Sequence, residues 1–162
     1  MRKISHRGNL FGPNPKRENS PHYIFEALAE GFEVEIDVWV QNGMVQLGHD
    51  RPSYSVNKNM LKMNGLWCHA KNIEALEFMM NEGNIHCFWH QGDDITLTSN
   101  GYFWTHSDCY TYTPKSVACH MERPTAEELK IYNVEEVYKR NKLLIDFSEI
   151  PIIYQNEIIS LL

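Results

Sequence analysis

The chain has 162 residues and a formal net charge of −6, with 43% hydrophobic and 22% charged residues. That is the balance of a single globular domain, 1–162, able to bury roughly 70% of its unfolded surface. The acidic charge argues against nucleic-acid binding, which selects basic surfaces. No apolar run approaches the roughly 18 residues of a membrane span, so none is expected. The N-terminal stretch MRKISHRGNLFGPNP has no apolar core of a secretory signal. Cys68, Cys87, Cys109 and Cys119 form no CxxC pair, and three of them sit inside apolar runs. They read as buried free thiols, which makes a cytoplasmic location the expectation.

In chain order, short apolar runs keep ending in polar residues. The first is KISHRG. Ser20 then supplies a helix N-cap with Pro21 at the first helical position. Ile24, Phe25 and Leu28 make one apolar face, and Gly31 closes the helix. VEIDVWV and MVQLGHD flank Asn42-Gly43, a hairpin turn signal. LWCHAK follows, and Asn72 caps a second helix carrying Ile73, Leu76 and Met80 and ending near Gly83. IHCFWHQ, GYFWTHS, SVACHME and LLIDFS read as further strands. Thr125 with Glu128 forms a capping box for a third helix, and Asn133 with Glu136 marks a fourth.

Alternating strands and helices predict an α/β fold. Seven or eight short strands predict a (β/α)8 TIM-type barrel. That barrel ordinarily takes about 250 residues, so here it is reduced, with several helices shortened or missing. The losses are expected between His86 and Val117; an open α/β sheet is the alternative. Apolar surface left by missing helices makes a homodimer an expectation.

His6, His49, His69, His90, His106 and His120 fall at or near the ends of apolar runs, as do Glu35, Asp37, Lys71, Glu122 and Asp146. A lone histidine is usually structural. Six in equivalent positions predict a functional cluster, because the C-terminal ends of parallel barrel strands converge on one face. About half of the six would be supporting groups. Glu35 and Asp37, two apart on a strand, point to one face. Adjacent carboxylates repel and call for a cation. Oxygen ligands favour Mg²⁺ or Ca²⁺. His6 is a candidate general acid or base, and Arg7 can pair with a phosphate oxygen. His49 places a second imidazole beside Asp50. His90, Asp93, Asp94, Trp104 and His106 are candidate substrate contacts, with a structural role as the equal alternative: Gly92-Asp93-Asp94 is also a good turn, and Trp104 a good core residue.

Four motifs in order, His6-Arg7-Gly8, Glu18-Asn19, Glu35-Ile36-Asp37 and His49-Asp50, resemble the glycerophosphodiester phosphodiesterase family, whose fold is a TIM barrel of the phosphatidylinositol phospholipase C-like kind. The resemblance covers about the first 70 residues and points to a short subgroup. It implies a metal-dependent phosphoric diester hydrolase of lipid or sugar-phosphate metabolism, acting on a small-molecule diester. His6 and His49 would be the acid/base pair. Glu35, Asp37 and Glu18 would hold Mg²⁺ or Ca²⁺, with Asn19 fixing the Glu18 loop. Arg7 and Lys71, with His90 and Trp104, would contact substrate. The family's Glu-x-Lys on its next strand is replaced here by His69-Ala70-Lys71. Either His69 is a ligand, which suits Mn²⁺ or Zn²⁺ better than Ca²⁺, or Glu122 supplies the missing carboxylate, or metal binding is weak. The replacement motivates a second expectation, a non-catalytic module binding a phosphosugar or a partner. A third is a transition-metal site on His69, His90 and His106.

Overall fold

The computed structural model of the chain describes residues 3–106, 115–119 and 144–146. Its elements are β1 (Lys3–His6), α1 (Pro21–Ala29), β2 (Glu33–Gln41), β3 (Met44–Leu47), β4 (Tyr54–Ser55), a 3-10 turn (Lys58–Lys62), β5 (Leu66–Ala70), α2 (Ile73–Glu82), β6 (Cys87–Trp89), β7 (Ile95–Leu97), β8 (Phe103–Thr105), β9 (Ser116–Ala118) and β10 (Leu144–Asp146). Each of the eight apolar runs forms a strand. β4 and β7 are additions.

Both helices begin where their caps predict. The Ser20 side chain accepts from the Tyr23 N–H, with Pro21 following. The Asn72 side chain accepts from the Ala75 N–H, and Gly83 with φ 63° closes α2. Their buried faces differ from expectation. Helix α1 buries Tyr23, Ile24 and Ala27, leaving Phe25 exposed. Helix α2 buries Ala75 and Met79 and leaves Ile73 and Met80 exposed. The small side chain of Ala75 lets α2 sit close on the sheet. Asn42 and Gly43 both adopt positive φ, closing the β2–β3 hairpin as predicted. The expected third and fourth helices, with Glu122, His120 and Cys109, lie outside the described residues.

Seven strands run parallel in the order β6-β5-β2-β1-β10-β9-β8. Strand β2 serves three neighbours along its length: Glu33–Glu35 pair with β1, Val34–Val38 with β5, and Val38–Gln41 with β3. β3, β4 and β7 add antiparallel pairings.

This is not the expected (β/α)8 barrel. Among the described residues there are two α-helices, and no ladder joins β6 to β8. The reason lies in the connections. A crossover helix needs a dozen or more residues. After β6 the chain instead turns directly into the β7–β8 hairpin. Ser99 in that hairpin bridges back: its N–H donates to the Cys87 carbonyl at 2.8 Å, and its Oγ accepts from the Cys87 N–H at 2.9 Å.

The alternation of side chains makes two cores. On one face Val34, Ile36, Val38 and Val40 of β2 and Leu66, Cys68 and Ala70 of β5 pack with Ile24 and Ala27 of α1 and Ala75 and Met79 of α2. On the other, Ile4, Trp67, Phe88, Trp104 and Val117 form a separate cluster. Phe88 of β6 and Trp104 of β8 stack 4.7 Å apart, so the sheet curls far enough for its outer parallel strands to touch. Cys68 and Cys87 are buried free thiols, as expected; Cys119 is half-buried.

Candidate functional site

The aromatic cluster is the floor beneath the site. Above it, on the same face, β2 presents Glu35 and Asp37 and β5 presents His69. Pairing places Asp37 opposite His69 and Glu35 opposite both His6 and Trp67. Each of Glu35, Asp37 and His69 offers a ligand atom, and these atoms all lie within 4.8 Å of one another. Glu35 and Asp37 are almost fully buried.

Asp37 is the electrostatic centre. Arg7 Nε stands 3.1 Å from Oδ2, while His69 Nδ1 and Lys71 Nζ stand 3.2 and 3.4 Å from Oδ1. Burial alone would push its pKa up. His69, Arg7 and Lys71 outweigh burial and hold it well below the usual carboxylate range. Asn19, fully buried, clamps it from the loop side: Asn19 Nδ2 donates to Asp37 Oδ2, and the Asp37 N–H donates to Asn19 Oδ1, both at 2.8 Å. Asn19 sits at φ 61°, a conformation asparagine tolerates better than most residues. Asn19→Ala leaves a buried N–H without its acceptor and is expected to lower the unfolding free energy by about 1–3 kcal/mol. A urea titration superimposing on wild type would contradict this.

Glu35 is less satisfied. His6 Nε2 lies 3.8 Å from Oε2, and His69 Nδ1 lies 3.6 Å from Oε1. Buried Glu35 Oε2 and Asp37 Oδ1 have no aligned hydrogen bond, so their close contacts are ion pairs. Buried carboxylate oxygens held by ion pairs alone are groups a divalent cation could take as ligands.

His69 fits the same purpose. Its Nε2 donates to the His90 carbonyl at 2.8 Å, which leaves Nδ1 directed at the two carboxylates. A backbone acceptor on one ring nitrogen orients the other for a metal. Without an ion, burial opposes a charge on His69, but Asp37 and Glu35 overcome it and raise its pKa to about 9. A raised folded pKa stabilises fully below the ordinary value of 6.5 and ceases to do so as pH rises through 9. In EDTA, the melting temperature is therefore expected to fall between pH 6.5 and 9. His69→Gln should flatten that slope; an equal slope in the variant would exclude His69 as its source.

The other expected residues divide. Glu18 is not among the clustered ligands. Its oxygens accept from Arg7 Nη1 at 3.2 Å and Asn9 Nδ2 at 3.0 Å, so it positions Arg7. His49 is 41% exposed, with Nδ1 2.6 Å from Asp50 Oδ1. The preceding Gly48 donates its N–H to the Asp37 carbonyl at 3.1 Å, which ties the His49 turn to the site. Gly48 has φ 150°, and a Cβ there would meet the Arg51 carbonyl oxygen at 2.1 Å, so the turn demands glycine. His90 lies half-buried beside His69, with ring centres 6.4 Å apart. Burial, then His69 and His106, lower its pKa, keeping it neutral at pH 7. Trp104 belongs to the aromatic floor and is buried. Asp146 pairs with Ile4 on the β1–β10 ladder. Asn9 was not anticipated. It is buried, and its carbonyl accepts from Ser5 Oγ at 2.7 Å, but no pattern beyond its place after Gly8 marks it.

The chain matches no protein-family model, no curated protein and no solved structure. The four ordered motifs remain the basis of the resemblance. Among the described residues no helix is long and apolar enough to cross a membrane.

Proposed function

We propose that the chain is a metal-dependent phosphodiester hydrolase acting on a glycerol-phosphate or sugar-phosphate diester. The observation that carries this reading is the convergence of Glu35, Asp37 and His69 on one buried point. The set of two carboxylates and one imidazole suits Mn²⁺ or Mg²⁺ better than Ca²⁺. When bound, such an ion stabilises the charge that develops on phosphoryl oxygens.

The chain's own groups supply the rest. Arg7 and Lys71 hold Asp37 ionised and add a positive field for an anionic diester. His6, at the end of β1 beside Glu35, exchanges a proton with the nucleophile or leaving alkoxide. His49 is the second imidazole. Asp50 orients its Nδ1–H and leaves Nε2 for proton transfer. His90, neutral, is a substrate contact at the rim.

A binding module without turnover is the second reading. Two observations favour it: His69 Nδ1 already lies 3.2 Å from Asp37 Oδ1, where an ion would compete with it, and His49 bonds to Asp50 at the surface rather than to the carboxylates. Phosphorus NMR of glycerol- and sugar-phosphate diesters incubated with the Mn²⁺-loaded protein separates the two. Appearance of a phosphomonoester or cyclic phosphate supports the hydrolase. Unchanged diester together with saturable calorimetric binding supports the module.

A further inference from the structure

Trp39 of β2 is a half-buried tryptophan that belongs to neither apolar cluster. It stands two residues beyond Asp37, so strand alternation puts it on the face that carries Glu35 and Asp37. The last β2–β5 pairing, Val38 with Ala70, lies just before it. Its indole Nε1–H donates to the Gly48 carbonyl at 2.6 Å. A tryptophan N–H withdrawn from water ordinarily finds an acceptor. Here the acceptor is the peptide group that joins Gly48 to His49.

That peptide is bracketed by one strand. The β2–β3 ladder ends at Val38 with Leu47, and one further step sets Gly48 opposite Asp37. The Gly48 N–H donates to the Asp37 carbonyl at 3.1 Å. Gly48 is therefore held on both sides by β2, its N–H by the main chain of Asp37 and its carbonyl by the side chain of Trp39. Beyond it the chain leaves the ladder, and the Ser53 N–H returns to the Leu47 carbonyl at 2.8 Å to close the turn. His49 contributes little to its own placement. Its imidazole is 41% exposed, and Asp50, which bonds its Nδ1, is 89% exposed. Exposed pairs of this kind add little rigidity. The backbone at Gly48 decides where the ring stands.

We infer that Trp39 is a positioning residue for His49: its indole N–H clamps the Gly48 carbonyl and holds the second imidazole against the strand that carries Glu35 and Asp37. The inference rests on the reading of His49 as a proton-transfer group; the clamp itself does not. Proton transfer depends steeply on placement, and a displacement of about 1 Å can cost about 10²-fold in rate. A bond from the strand that bears both carboxylates makes carboxylates and imidazole one unit.

The test compares the full chain with Trp39→Phe, which keeps an apolar ring but has no N–H to donate. Two readouts need no substrate. Amide exchange at Gly48 and Ser53 should quicken by about 10-fold or more while the β5 amides keep their protection. The carbon-bound proton resonances of the His49 ring should shift while those of His22 on α1 stay in place. Exchange and His49 resonances both identical to wild type overturn the proposal. If the variant does not fold, wild type decides. The Trp39 indole N–H must then exchange at the rate of the Gly48 amide, and far faster exchange overturns the clamp. With the Mn²⁺-loaded protein and the phosphodiester panel, Trp39→Phe should lower kcat by about 10–10²-fold with KM little changed. In a His49→Ala background the same substitution should cost nothing further. An equal loss in both backgrounds overturns the positioning role. A wild type that turns over no diester rejects the hydrolase reading alone, and exchange and resonances then decide the clamp.

Discussion

Asp37→Asn is expected to destabilise the metal-free protein by about 3–5 kcal/mol, the usual cost of removing one partner from a buried ionic network. Asparagine is nearly isosteric, so no cavity opens and the effect is electrostatic. Arg7, His69 and Lys71 each lie within 3.4 Å of the Asp37 carboxylate and would lose their common counterion. One term opposes this: neutralising Asp37 relieves its repulsion from Glu35. Three cation contacts against one like-charge neighbour decide the sign. His69 can discharge by losing its proton, which limits the loss but removes an ion pair. Against a typical total of about 5–15 kcal/mol, the change would be plain in urea unfolding with EDTA. A variant as stable as wild type would mean that repulsion between Glu35 and Asp37 dominates the empty site.

His6→Ala is expected to lower kcat/KM for diester hydrolysis by about 10²–10⁴-fold, the range for loss of a positioned general acid or base. Stability should change less than in Asp37→Asn, because His6 ends a strand outside both apolar clusters and makes one 3.8 Å contact with Glu35. The split between activity and stability separates it from Asp37→Asn. His49→Ala should depress turnover as well, since one imidazole cannot serve both proton transfers in a single step. Turnover undiminished in both variants would remove the acid/base assignment.

The strands were legible because burial on both faces forces continuous apolar runs such as VEIDVWV and LWCHAK. β4 and β7 escaped because they are short and mostly exposed: in β7, Ile95 and Leu97 face outward and only Thr96 turns inward. Helix starts were legible from Ser20 and Asn72, whose side chains cap the first turn. Helix faces were not. Hydrophobicity points to Ile73 and Met80, whereas close packing on the sheet selects Ala75 and Met79. The barrel expectation already placed lost helices between His86 and Val117, where the chain turns from β6 into the β7–β8 hairpin; what fails is closure, because among the described residues no ladder joins β6 to β8.

At the site, the i, i+2 spacing of Glu35 and Asp37 and the position of His69 on the next strand were enough to bring these three side chains together on one face. The saturation of Glu18 by Arg7 and Asn9 has no sequence signature, since both partners come from a loop whose path depends on the positive φ of Arg7 and Asn19. Trp104 was drawn toward substrate by its neighbours in sequence. Its position on β8 instead turns it onto Phe88 in the floor.

The central claim is that Glu35, Asp37 and His69 hold a divalent ion that diester hydrolysis requires. Its most direct test is the initial rate on a phosphodiester panel with Mn²⁺, Mg²⁺, Ca²⁺ or EDTA, for wild type and Glu35→Gln. The account predicts turnover by wild type with Mn²⁺ or Mg²⁺, none in EDTA, and little with Glu35→Gln at the same metal concentration. Hydrolysis that persists in EDTA, or that Glu35→Gln leaves intact, would contradict it.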